Sequence, residues 1–122
     1  MKIDAVRKYA MTLDAVTEEP HHHYASFRVR GKIFVTVPPS NEVIHVFVGE
    51  EDREAALALY PDIVEKLHWG SKVVGLRVTL AAAKPAAVQS LVSKAYETCI
   101  RKDTRPRRQG TRGKSAKPGR AE

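Results

Sequence analysis

The residue types best suited to chemistry fall in four places along the chain. The first is "EEPHHHYAS", where His21, His22 and His23 follow Glu18 and Glu19. Imidazoles and carboxylates are natural ligands for zinc and similar ions. In an extended segment, however, His21 and His23 share one side while His22 points away. A site there needs a further ligand from elsewhere, such as His45 or a loop carboxylate, and consecutive histidines lack the i, i+4 spacing of a zinc-protease helix. The segment reads as a polar connector, and no metal is expected. The second place is Cys99, the single cysteine. It falls on the apolar stripe of a last helix, where a thiol is expected to be buried and inert. The third is Asp62 and Glu65 near His68, whose spacing does not require an acid–base pair. There is no GxSxG elbow and no Walker glycine loop, so neither an enzyme nor a cofactor is expected.

The fourth place combines cations with an aromatic ring. "RVRGK" sets Arg28, Arg30 and Lys32 around Gly31, which lets the backbone approach a phosphate. "KLHWGSK" sets Trp69 among Lys66, His68 and Lys72, a mixture suited to stacking with phosphate contact. The alternative is that Trp69 packs on its own sheet and the lysines are solubilising edge charges. Charge placement bears on the choice. The 122 residues carry a formal net charge of +7. Residues 1–100 hold 12 Lys+Arg and 12 Asp+Glu, so the whole excess lies in "RKDTRPRRQGTRGKSAKPGRAE", residues 101–122. The domain itself thus gives no net-charge argument for nucleic acid. The last segment does, because cations such as Arg101, Arg105, Arg107, Arg108 and Arg112 displace counterions from any polyanion. Its alternative role is solubilisation. It is too polar to fold alone and is expected to be a disordered basic arm after a domain spanning 1–100.

These residues need a framework. Val6, Tyr9, Ala10 and Leu13 recur at i, i+3, i+4, i+7 in "IDAVRKYAMTLDAV", the stripe of a first helix with Asp4 as N-cap or first-turn acid. Pro20 ends that segment. "YASFRVRGKIFVTV" alternates with a period of two, placing Phe27 and Val29 on one face and Arg28 and Arg30 on the other, with Gly31 in the turn. Whether Ile33 or Phe34 faces inward depends on the turn length. "VIHVFV" puts Ile44, Val46 and Val48 on one face, His45 and Phe47 on the other. "EEDREAALALYPD" is a short helix with Ala56, Leu57 and Tyr60 inward and Pro61 as its stop. A hairpin then turns near Gly70 and Ser71, its second arm alternating Val74, Leu76, Val78 and Leu80 against Arg77 and Thr79. Val88, Leu91, Val92, Ala95 and Cys99 line a last helix that begins at Pro85.

The order α-β-β-β-α-β-β-α predicts an α+β fold of two layers, an antiparallel sheet of about five strands with helices on one face. The open face is expected to carry Arg28, Arg30, His45 and Arg77. "ASFRVRGKIFVTV", "GEEDREAALALYPD" and "LHWGSKVVGLRVTL" resemble, in order and spacing, the MmcQ/YjbR-like family of small bacterial proteins over roughly residues 2 to 101. That family is similar in fold to secretion chaperones and frataxin-like α/β sandwiches. The resemblance implies DNA binding through a double wing of hairpins. It supplies no catalytic residues, only surface positions: Arg28, Arg30, Gly31 and Lys32 at the first hairpin, and Lys66, His68, Trp69 and Lys72 at the second.

The expected function is nucleic-acid binding, DNA or RNA, with low sequence specificity. Hairpins, open face and arm would share the contacts. The competing expectation is a protein-interaction module, in which the sheet face or edge strand receives a peptide or a second copy of the chain. Exposed Phe47 and Trp69 favour the second; a continuous positive ridge along both hairpins favours the first. No apolar run reaches bilayer-spanning length, and Asp4, Arg7 and Lys8 interrupt any signal-peptide core. With a lone cysteine, a cytoplasmic protein without membrane contact is expected.

Overall fold

The computed structural model describes residues 1–102. Its elements run α1 (Ile3–Ala10), β1 (Val16–His21), β2 (Tyr24–Val29), β3 (Lys32–Val37), β4 (Val43–Val46), α2 (Glu50–Leu59), β5 (Val64–Trp69), β6 (Lys72–Thr79) and α3 (Pro85–Lys102). The strands form one six-stranded sheet in the order β1-β2-β3-β4-β6-β5, every neighbouring pair antiparallel.

The expected α+β sandwich is present with one more strand than anticipated. The extra strand is β1, where a polar connector was expected. Helix α1 stops at Ala10, its last carbonyls taken up by Thr12 and Leu13 N–H groups and by the Thr12 hydroxyl at 2.6 Å from the Tyr9 oxygen. Ala15 then adopts φ +64°, and the chain turns into β1. Only Val16 of β1 is buried, so the strand has no apolar alternation to announce it. Pro20 is tolerated because β1 is an edge strand.

The helices cover one face. Val88, Leu91, Val92 and Ala95 of α3 are buried against the sheet, together with Phe27, Phe34, Ile44, Leu76 and Leu80. The Phe34 ring meets Tyr96 of α3 edge-on at 5.6 Å. Helix α1 is tied to α3 by a short hydrogen bond between the Tyr9 and Ser93 hydroxyls. It is tied to β1 by Arg7, whose guanidinium donates to Glu18 at 2.9 Å. The Tyr96 hydroxyl donates to the Asp14 carbonyl at 2.7 Å, holding the α1–β1 loop. Burial and nearby Asp14 push the Tyr96 phenol up, while Arg30 acts in the opposite direction.

Two β-bulges reset the side-chain parity. In the first hairpin Phe27 pairs with Val35 and Arg28 with Ile33, leaving Phe34 as the extra residue. Phe34 and Val35 are therefore both buried, and Ile33 lies on the open side with Arg28. In the second hairpin Leu67 pairs with Gly75 and His68 with Val73, leaving Val74 over. Val74 is only half-buried, not part of the inward row expected from the alternation.

Three smaller expectations also change. Arg30 is not on the sheet face: it occupies the two-residue turn with Gly31, at φ +55° and +78°, the pattern of a type I′ turn. Cys99 is half-buried and not fully buried, its thiol 3.8 Å from the Lys32 carbonyl oxygen. Arg101 and Lys102, assigned from the sequence to the arm, belong to the last turn of α3.

Candidate functional site

The uncovered face holds a cleft of about 350 Å³ lined by His21, His22, Tyr24, Ile33, Thr36, His45, Phe47 and Trp69. Five strands supply it, because strand neighbours in space are not all neighbours in sequence. β1 and its turn bring His21 and His22, with His22 in the left-handed region at φ +59°. Tyr24 opens β2, Ile33 and Thr36 stand on β3, His45 on β4, and Trp69 ends β5.

Strand β6 lies between Phe47 and Trp69, yet their rings meet at 5.6 Å. No side chain stands between them at Gly75. A Cβ there would collide with the Val46 carbonyl oxygen and stand 3.1 Å from the Phe47 Cα. Glycine thus lets the β4 and β6 backbones close up and leaves room for the two rings to meet. At the other end Tyr24 faces His45 with ring centroids 6.1 Å apart, and the His21 and His22 rings lie 4.8 Å apart. The Thr36 hydroxyl is 3.4 Å from His45 Nδ1. Burial, and secondly the charge of Arg77, hold His45 below its ordinary value of 6.5, which favours the neutral ring. Trp69 is 64% exposed and Tyr24 37%. Both rings therefore leave apolar surface open on this face.

The anticipated cations scatter around this cleft. Arg28 and Arg77 do share the open face with His45: Arg28 pairs with Ile33, and Arg77 with His45. Arg28 is folded down, donating to the buried Ser26 hydroxyl at 3.0 Å and the Pro20 carbonyl at 3.2 Å. Arg77 is half-exposed and 3.8 Å from Glu65, a surface pair of small energetic weight. Lys72 is exposed opposite Trp69 in the second hairpin. Lys66 pairs with the fully buried Leu76, so it points to the helix side, and His68 alternates with Trp69 in the same sense. Lys32 is exposed at the start of β3, and Arg101 lies 3.9 Å from Asp52 of α2 in the helix layer. The second hairpin therefore keeps Trp69 and Lys72 together and turns Lys66 and His68 away. Arg105, Arg107, Arg108 and Arg112 lie outside the described residues.

Sequence reasoning placed His45, Phe47 and Arg77 on this face but missed the gathering of His21, His22, Tyr24, Ile33 and Thr36. A strand reading of residues 16–21 would have set His21 beside Tyr24, whereas Ile33 took its facing from the bulge at Phe34. Among the described residues no cluster of three or more His, Cys, Asp and Glu could hold a metal ion. Likewise none of the described helices is long and apolar enough to cross a membrane.

An open-faced antiparallel α+β sandwich with an aromatic–histidine cleft is thus the class that the fold and site define. The chain belongs to the YjbR family, whose family model matches residues 11–98. It is similar to the crystal structure of the Deinococcus radiodurans protein DR2400, a DUF419 domain. The TM-score is 0.71, with 16% identity, over 83% of this chain and 80% of that one. At that identity the likeness concerns the fold alone. No curated protein matches the sequence.

Proposed function

We propose that this chain is a binding protein, not an enzyme, and that it binds single-stranded nucleic acid with low sequence specificity across its open sheet face. The observation that carries this reading is the row of solvent-facing rings, Tyr24 at one end and Trp69 over Phe47 at the other, on an uncovered antiparallel sheet. Every base has a π-face, so exposed rings on a sheet bind strands with little regard to sequence. The balanced charge of residues 1–100 leaves long-range attraction to the nine cations of residues 101–122. Stacking and electrostatics are then supplied by different parts of the chain. This relocates the interface from the hairpin tips to the face between them, because Arg28 is occupied with the β1–β2 frame and Lys66 and His68 point away.

A protein partner is the second reading, favoured by the same rings and by the neutral domain. Strand addition suits it poorly. Edge strand β1 carries Pro20 beside Glu18 and Glu19, and edge strand β5 is distorted at the Leu67/His68 irregularity and bears Glu65 and Lys66. Both are devices that discourage edge pairing. A protein partner would have to pack on the face itself.

Fluorescence anisotropy of labelled single-stranded and duplex oligonucleotides tests the proposal across a salt series. The full chain should bind single strands more tightly than duplex. Replacing Arg105, Arg107, Arg108 and Arg112 together by Ser should flatten the salt slope by about 3, at roughly 0.7 per phosphate contact. Equal affinity for duplex, or no loss with Trp69→Ala, would overturn it and direct the search to a protein partner.

A further inference from the structure

The cleft on the open face differs from an ordinary stacking surface in having a depth, a floor and a rim of distinct character. About 350 Å³ is at the small end of the 300–1,000 Å³ typical of ligand pockets, enough for one or two fused rings. The walls are aromatic: Tyr24 with His45 on one side, Phe47 with Trp69 on the other. The floor is polar, and the His21 and His22 imidazoles also line the cleft. There the Thr36 hydroxyl and the His45 imidazole lie within 3.4 Å, and a neutral imidazole offers one donor and one acceptor. Among the described residues no Lys, Arg, Asp or Glu lines the cleft. Cations stand around it instead: Arg77 in register with His45 and Lys72 with Trp69.

That distribution selects among occupants. A lone anion would find no cation inside. An alkylammonium ion would be attracted by the ring faces but repelled by Arg77 and Lys72. A neutral planar ring with hydrogen-bonding edges, joined to negative charge outside, meets aromatic walls and a polar floor within and cations at the rim. We propose that the cleft is a seat for one nucleobase, held between the Tyr24/His45 and Phe47/Trp69 walls while its flanking phosphates stay at the cationic rim. Naming a base as the occupant rests on the nucleic-acid reading above; the seat for a neutral planar ring rests on the cleft alone.

Trp69 is the chain's single tryptophan and lines the cleft, so its intrinsic fluorescence reports occupancy directly. The full-length protein is titrated with adenosine and with uridine, which carry a base and no phosphate, and with choline as a cationic probe. The nucleosides should perturb the Trp69 emission saturably, with half-saturation in the millimolar range and little dependence on salt, and choline should not. Amide and indole NMR shifts induced by adenosine should cluster at Thr36, His45, Phe47 and Trp69. Phe47→Ala should weaken adenosine binding roughly fivefold or more. The NMR map on the unaltered chain keeps the test independent of that variant's folding.

The outcomes separate the two proposals. If the nucleosides leave both fluorescence and the mapped shifts unchanged, or if choline binds in their place, the seat is overturned; oligonucleotide binding that persists would leave the broader function standing. If the nucleosides bind at the mapped residues but oligonucleotides do not, the seat holds and the strand-binding function fails.

Discussion

The two bulged hairpins, β2–β3 and β5–β6, are built alike and used differently. Each is an antiparallel pair with a glycine at positive φ in its turn and one extra residue in its second strand. In the first hairpin that extra residue is Phe34, fully buried against α3, and the cation beside it on the face, Arg28, is bonded to Ser26 and Pro20. In the second it is Val74, half-buried, and the ring beside the turn, Trp69, is the most exposed aromatic side chain on the face. The difference is one of position. β2 and β3 have a strand on both sides and helix α3 beneath them, whereas β5 is an edge strand. An interior hairpin spends its side chains on the frame, and an edge hairpin has side chains left over for a ligand.

Six substitutions would break or sharpen this contrast. Phe34→Ala should cost about 3–5 kcal/mol of stability, and Val74→Ala about 1 kcal/mol, read as urea-unfolding free energies. Similar losses at the two bulges would show that the hairpins share the structural load. Gly75→Ala should cost on the order of 3 kcal/mol, because its methyl group forces β4 and β6 apart. The same shift should separate Phe47 from Trp69, so oligonucleotide affinity measured by anisotropy should fall with it.

Next, Trp69→Ala should weaken single-strand binding roughly five- to hundredfold while barely moving the urea midpoint. Arg28→Ala should do the reverse. The loss of its bonds to Ser26 and Pro20 should cost about 1–2 kcal/mol of stability and leave binding within about twofold. Exchange of those two phenotypes would assign the contact to the first hairpin.

The smallest effect concerns His45. Burial, then Arg77, lowers its folded-state value below the ordinary 6.5 of the unfolded chain. Protonation therefore favours the unfolded state. The contribution is fully present above about pH 6.5 and is lost as pH falls through the lowered folded value. Urea midpoints should drop on acidification through that window, and His45→Gln should reduce the drop. An unchanged pH profile would mean that His45 is solvated in both states.

Much of the architecture was legible from residue spacing. Val88, Leu91, Val92 and Ala95 marked the buried face of α3, and Ile44, Val46 and Val48 marked the buried side around β4, because amphipathic periodicity is a local record of burial. The placement of His45, Phe47 and Arg77 on the open face followed from that alternation. Strand β1 was not legible, because an edge strand with one buried residue repeats nothing apolar. Arg30 was misplaced because it sits in the turn itself, and Val74 because a bulge breaks the alternation from which its facing was read.

The sequence by itself determined the balance of charge, the concentration of cations in residues 101–122, the helical stripes and the faces of the unbulged strands. Only the tertiary structure decided that β1 lies beside β2, bringing His21 and His22 to the cleft, and that β6 inserts between β4 and β5 so that Phe47 and Trp69 meet above Gly75. The physical reason is range. Side-chain alternation is set by neighbours along the chain, whereas strand order and bulges are settled by contacts between residues far apart in sequence, for which spacing carries no signal.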